Sequence, residues 1–220
     1  MTKKEKAIHI VETLKELYPD SICSLDYGKD YELLFSVRLS AQCTDARVNL
    51  VTPELFGKYP TLESLAQADV ADVEAIIHST GFFRAKAKDI VLSAQMLLSD
   101  YGGKVPDSME ELLKLPGVGR KTANLVLGDI YNTPGVVVAD THCIRIAGKL
   151  GLTDGTKDPH KVELQLRRVL PPAESNDFCH RLVLHGRAVC TARSPKCEVC
   201  TLAPWCATFQ KGGKTKGSKS

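Results

Sequence analysis

The chain is predicted to be all-α. Along most of its 220 residues, apolar side chains recur three and four positions apart. Most of these stretches are preceded by Thr, Ser or Asp, residues suited to capping a helix start. The single strand candidate, Val136-Val137-Val138, is short and bounded by Pro134-Gly135 and Asp140, so it reads as a buried extended connector.

In chain order, Ile8, Val11, Leu14 and Leu17 form the apolar stripe of a first helix. Asp30 precedes Leu33, Leu34 and Val37; Thr44 precedes Val48, Val51 and Leu55, with Pro53 a kink or break. Thr61 and Asp69 cap two short helices, Leu62 to Ala66 and Val70 to His78. A long helix runs from about Arg84 to Tyr101 and stops at Gly102-Gly103. Ser108-Met109-Glu110-Glu111 is a capping box opening a helix that leads into Leu115-Pro116-Gly117-Val118-Gly119. Helices follow at about Lys121–Tyr131, Thr141–Leu150, Pro159–Leu170 and Glu174–Val189, the third opened by the pair Asp158-Pro159. Residues 211–220, rich in Gly, Lys and Ser, read as a disordered basic tail.

No apolar run reaches the length of a membrane span, and Met1 to Lys6 leads into an amphipathic stretch without a signal-peptide core. A cytoplasmic protein is expected. The net charge of +3 is unevenly placed: from Arg187 to Ser220 seven Lys/Arg face one acid, Glu198, while the remainder has 22 basic and 25 acidic residues. A basic carboxyl end suits a polyanion. The stretch after Gln210, taken alone, is equally well explained as a solvated tail.

Eight cysteines in a chain with no secretory signal do not suggest disulfides. Cys23, Cys43, Cys143 and Cys179 lie scattered within helical patterns and read as buried thiols. Cys190, Cys197, Cys200 and Cys206, with six, two and five residues between them, read as a ligand set. Structural zinc usually shows two tight pairs; wider loops suit four thiolates around a [4Fe–4S] cubane. The cluster is favoured over zinc. Arg193 and Lys196, on the loop between the first two cysteines, have the right charge for DNA phosphate.

A helix, a Gly-x-Gly turn and a second helix form a helix–hairpin–helix. Leu115, Gly117, Gly119 and Arg120 are its candidate phosphate contacts, since bare glycine backbone and a helix amino terminus favour an anion. Such contacts position a duplex without reading its sequence. Lys121 opens the second helix, where the dipole disfavours its charged form and favours a nucleophilic amine. Asp140, in Val138-Ala139-Asp140-Thr141-His142, offers a carboxylate at another helix start and is also a natural N-cap.

With these motifs and Leu39-Ser40-Ala41-Gln42-Cys43-Thr44-Asp45, the chain resembles the endonuclease III family of DNA glycosylase/abasic-site lyases, from about Ile8 to Cys206. The resemblance implies two helical domains. A six-helix barrel would span residues 22–132 and carry the hairpin at about 108–131; residues 1–21 and 133–220 would form the iron–sulfur domain, with DNA bound across the groove between them. It implies that Lys121 attacks the sugar C1′ and that Asp140 is its partner carboxylate. Gln42 would fill the gap left by a flipped nucleotide, and Phe82 would act as the wedge, an aromatic where the family more often has Leu or Ile. His142 is expected to pack or cap. The implied substrate is duplex DNA with oxidised pyrimidines or abasic sites; the implied cofactor is a [4Fe–4S] cluster. A monomer at the nucleoid with no obligate protein partner is expected.

The related adenine mismatch glycosylases lack the hairpin lysine and carry a further carboxyl-terminal domain, whereas here Lys121 is present and fourteen residues follow Cys206. Two rival readings stand beside the lyase: a thymine-mismatch glycosylase of the same superfamily, and a non-catalytic helix–hairpin–helix DNA-binding protein. The second needs no pairing of Lys121 with Asp140 and predicts no covalent trapping.

Overall fold

Helices supply all the regular structure among the described residues, 1–21 and 23–212, of the computed structural model, and the protein is all-α. In chain order they are α1 (Lys3–Leu17), α2 (Asp30–Leu39), α3 (Asp45–Lys58), α4 (Leu62–Ala66), α5 (Val70–Ile77) and α6 (Phe83–Tyr101). There follow α7 (Met109–Leu112), α8 (Arg120–Asp129), α9 (Thr141–Leu150), α10 (Pro159–Arg167), α11 (Ser175–Ala188) and α12 (Ala207–Gln210), with short 3-10 turns between some of them. No helix among the described residues is long and apolar enough to cross a membrane. Most of the disordered-tail prediction falls on residues 213–220, which lie outside the described residues.

The contacts divide the chain into two units: Cys23–Tyr131, and Met1–Ile22 with Asn132–Ser220. In the first, α4 and α5 pack on α6, while α2 packs on α3, α6 and α8. Leu33, Leu34, Phe35, Leu55, Leu65, Ile77 and Ile90 form its core. Its helices begin where short polar side chains take the first-turn amides: Arg47 N–H donates to Thr44 Oγ1 at 3.3 Å and Ser64 N–H to Thr61 Oγ1 at 3.1 Å. Pro53 neither breaks nor ends α3. The helix runs through it because Val48, Val51 and Leu55 hold both halves in the core. Only half of the expected capping box forms at α7. Glu111 N–H donates to Ser108 Oγ at 3.3 Å, but the Glu111 carboxylate accepts instead from Tyr101 Oη at 2.8 Å and Lys114 Nζ at 2.6 Å.

In the second unit α1 packs on α11, and α11 on α9. The buried face of α1 is Ala7, Ile10, Val11 and Leu14, whereas Ile8 is 47% and Leu17 39% exposed. The expected stripe is therefore half right: Val11 and Leu14 belong to the buried face, Ile8 and Leu17 do not. Its spacing of three drifts off the 3.6-residue turn, and it passes over Ala7 and Ile10. Lys15 Nζ lies 2.8 Å from Glu174 Oε1, tying α1 to the turn before α11. Val136, Val137 and Val138 are buried without joining a ladder. Cys143 and Cys179 are buried, but Cys23 and Cys43 are only half-buried.

Candidate functional site

The hairpin is held from beneath. Leu115 and Val118 are buried, Val118 N–H donates to the Leu115 carbonyl at 3.1 Å, and Ser93 Oγ donates to the Pro116 carbonyl at 3.1 Å. Any contact Leu115 makes with a ligand is thus limited to its backbone. The two glycines do different work. Gly117 has φ +71°, and a Cβ there would overlap Arg38 and Asp89, whose ion pair runs under the turn. Arg38 Nε and Nη2 both donate to Asp89 Oδ2, at 2.8 and 2.7 Å. Gly119 has an ordinary φ of −100°, caps α8 without a side chain, and has nothing within 4 Å of the position a Cβ would take. An uncapped helix start with open space above it is chemically suited to an anion. Arg120 and the exposed Lys121 are the first two residues of α8, so a lysine lies two residues past that opening.

Gln42 and Phe82 sit in two loops of the same unit, both with left-handed backbone, at φ 54° and 47°. Such conformations cost a non-glycine residue about 1–3 kcal/mol and persist only where the surroundings impose them. Gln42 is exposed, and Phe82 is 68% exposed, unusual for a large aromatic.

In the other unit Asp140 caps α9, where the Cys143 N–H donates to Asp140 Oδ1 at 2.6 Å. The carboxylate is thereby oriented, and Oδ2 is the oxygen not committed to that bond. His142 Nδ1 lies 3.2 Å from Arg145 Nη2, and its ring occupies the space that a side chain at Gly186 would need. His142 packs, as expected.

Cys190, Cys197, Cys200 and Cys206 line one cavity, partly open to solvent and largely apolar, together with Ile146, Leu150 and Leu202. Among the described residues no three His, Cys, Asp or Glu side chains converge as ligands of a single ion. Four thiols lining one largely apolar cavity fit a [4Fe–4S] cubane. Sequence reasoning missed two polar residues that reach these thiols from α9 and α11. Arg145 donates to the Cys190 carbonyl and lies 3.7 Å from its Sγ; His185 Nε2 lies 3.5 Å from Cys200 Sγ. Burial, then the Arg145 charge, holds the His185 pKa below its ordinary value. Burial raises the Cys190 thiol pKa, and the Lys149 and Arg145 charges oppose the rise. The Lys196 N–H donates to the Val189 carbonyl at 3.0 Å, closing the loop that exposes Arg193 and Lys196.

Residues 35–172 match the family model of the HhH-GPD superfamily base excision DNA repair proteins. Residues 190–206 match that of the iron-sulfur binding domain of endonuclease III. The chain is 47% identical over 209 residues to the endonuclease III of Synechocystis sp., covering 95% of both chains. It is 40% identical to that of Bacillus subtilis, covering 93% of both, and 36% identical to that of Escherichia coli K12, covering 94% of this chain and 98% of that one. A solved structure of a trapped endonuclease III–DNA covalent intermediate superposes with a TM-score of 0.88 at 38% identity, covering 96% of this chain and 99% of that one. A non-covalent endonuclease III–DNA complex gives the same values. A thermostable thymine-DNA glycosylase, 22% identical with a TM-score of 0.81, shares the fold.

Proposed function

We infer the division of labour among these residues from one premise: the chain belongs to the endonuclease III family of HhH-GPD base excision DNA repair proteins. It is a DNA glycosylase and abasic-site lyase, acts on DNA, and takes a [4Fe–4S] cluster. We propose Cys190, Cys197, Cys200 and Cys206 as the cluster's ligands; the match of residues 190–206 and the shared cavity support this. These four thiolates would hold the cluster and, through it, would brace the loop that carries Arg193 and Lys196.

Lys121 is the proposed nucleophile. Its neutral amine attacks C1′ of the damaged nucleoside, the C1′–N bond breaks, and the base leaves with the bonding pair and takes up a proton. Opening of the sugar ring gives a Schiff base between Nζ and C1′. Loss of a C2′ proton then expels the 3′ phosphate by β-elimination, and water releases the lysine. Asp140 accepts the amine's proton and steadies the positive charge that develops on the sugar. Gly117 shapes the hairpin, Gly119 and Arg120 with the backbone at Leu115 grip a phosphate, and Arg193 and Lys196 add a second one. Gln42 fills the stack and Phe82 wedges it. The proposed substrates are oxidised pyrimidines in duplex DNA, handled by a monomer at the bacterial nucleoid in the cytoplasm.

One observation carries the assignment. The exposed amine of Lys121 stands at the second position of a helix whose N-cap, Gly119, is open for a phosphate. The neighbour trapped covalently on DNA supports attack by a residue of the enzyme. Borohydride reduction with an abasic-site duplex tests it. The parent should form a stable adduct and Lys121→Ala none; an adduct of equal yield in Lys121→Ala refutes the assignment.

A further inference from the structure

Lys86, on the first turns of α6, is fully buried, the rarest environment for a lysine. Its Nζ donates to the Leu39 carbonyl and to the Thr80 carbonyl, both at 2.8 Å. Leu39 is the last residue of α2, three before Gln42; Thr80 ends a 3-10 turn, two before Phe82. One ammonium therefore joins the roots of the two loops whose tips carry the left-handed, exposed residues Gln42 and Phe82.

The surroundings leave the amine little other purpose. Neither acceptor is a side chain, and no ion pair of Lys86 occurs among the described residues. Burial disfavours its charge most; Cys43 partly opposes this and Arg38 adds to it, so the pKa lies below the ordinary value. Burying an ammonium is costly, and packing alone would be served as well by a hydrophobic residue. What an apolar residue cannot do is bind two carbonyls from chain segments about 40 residues apart and fix their separation. Each loop leaves its helix through backbone that is already turned: Cys43 N–H donates to the Ser40 carbonyl at 3.0 Å, and Gly81 precedes Phe82 with φ +70°. Anchoring both roots to one atom group makes the two tips a single rigid fork.

We propose that Lys86 is a positioning residue for base extrusion, holding Gln42 and Phe82 at a fixed spacing so that both enter the duplex together. The proposal rests on the roles given above to those two residues. It predicts a defect confined to steps that open a base stack. Lys121 chemistry on a sugar that is already unstacked should be spared.

The test compares the parent with Lys86→Met and with Lys86→Gln, which keeps two N–H donors on a stem one bond shorter. Three readouts are taken at saturating protein. With thymine glycol in a duplex, single-turnover base release should fall at least tenfold in Lys86→Met. The fluorescence rise of 2-aminopurine placed beside the lesion should fall at least threefold. Strand cleavage at an abasic site in single-stranded DNA should stay within twofold of the parent. Lys86→Gln should be intermediate in the first two, and it stands as the test variant if Lys86→Met does not fold. Duplex and single-strand rates that fall together overturn the proposal, as does a parent-like 2-aminopurine signal. A parent that neither cleaves the single strand nor traps with borohydride would instead refute the assignment of Lys121.

Discussion

Alanine at Gly117 and alanine at Gly119, two residues apart on one turn, are expected to fail in different ways. At Gly117 the backbone has φ +71°, a conformation that costs an L-residue about 1–2 kcal/mol. The new methyl would also displace the Arg38–Asp89 pair, whose side chains are only 18% and 22% exposed. Losing hydrogen bonds between charged groups so placed costs about 1.5–3 kcal/mol. Together roughly 2.5–5 kcal/mol of stability should go, equivalent to about 10 °C in Tm for a chain of this size. At Gly119 the φ of −100° suits alanine and the space is empty, so at most about 1 kcal/mol is lost with the cap. That methyl, however, occupies the approach of a phosphate. Urea unfolding measures the first effect, and fluorescence anisotropy with a duplex carrying a reduced abasic site measures the second. Gly119→Ala should unfold nearly like the parent and bind about tenfold more weakly, near 1.4 kcal/mol. The reasoning fails if Gly117→Ala is no less stable than Gly119→Ala, or if Gly119→Ala binds DNA as the parent does.

Asp140→Asn keeps an N-cap acceptor and should change unfolding by less than about 0.5 kcal/mol while losing most base release; Asp140→Ala should lose base release and about 1 kcal/mol besides. Equal stability of the two variants in urea would show that Asp140 does not cap α9 in solution. Burial first, then the Asp129 carboxylate, pushes the Cys23 thiol up to about 12. A raised pKa on an acid means that its contribution is intact below the unfolded thiol's value near 9 and is lost as pH rises toward 12. The stability of the parent relative to Cys23→Ser should therefore be constant up to about pH 8.5 and decline above it. A difference that stays flat from about pH 8 to about pH 11 would contradict this.

How much of this was legible in the sequence depended on whether the cause was local. The caps at Thr44, Thr61, Asp69 and Asp158 could be read because the side chain and the amides that donate to it lie within three residues of each other. The start of Thr141–Leu150 could be placed at Asp140 for the same reason. The Gly117-x-Gly119 turn announced a close approach of backbone, but the object beneath Gly117, the Arg38–Asp89 pair, joins residues 51 positions apart. On α1 the sequence placed Val11 and Leu14 correctly and missed Ala7 and Ile10, because a strict spacing of three drifts off the helical turn. Nothing marked Lys86, since its partners are main-chain carbonyls, which every residue has. Arg145 and His185 escaped notice likewise, because only the fold brings them to Cys190 and Cys200.

The packing of α1 on α11 has a consequence for how the chain is made. The ribosome releases α1, with Ala7, Ile10, Val11 and Leu14 on one side, well before α11, the helix it packs on. Some 150 residues separate the two helices, and at about 5–20 residues per second that gap lasts about 8–30 s. During it the unit Cys23–Tyr131 emerges complete, while α1 waits with an apolar face and without the Glu174 partner of Lys15. The nascent chain thus passes through a stage in which the repair scaffold is finished but its amino-terminal helix is sticky. Chaperones that shelter short apolar helices at the exit tunnel should matter more for this protein than its small size suggests.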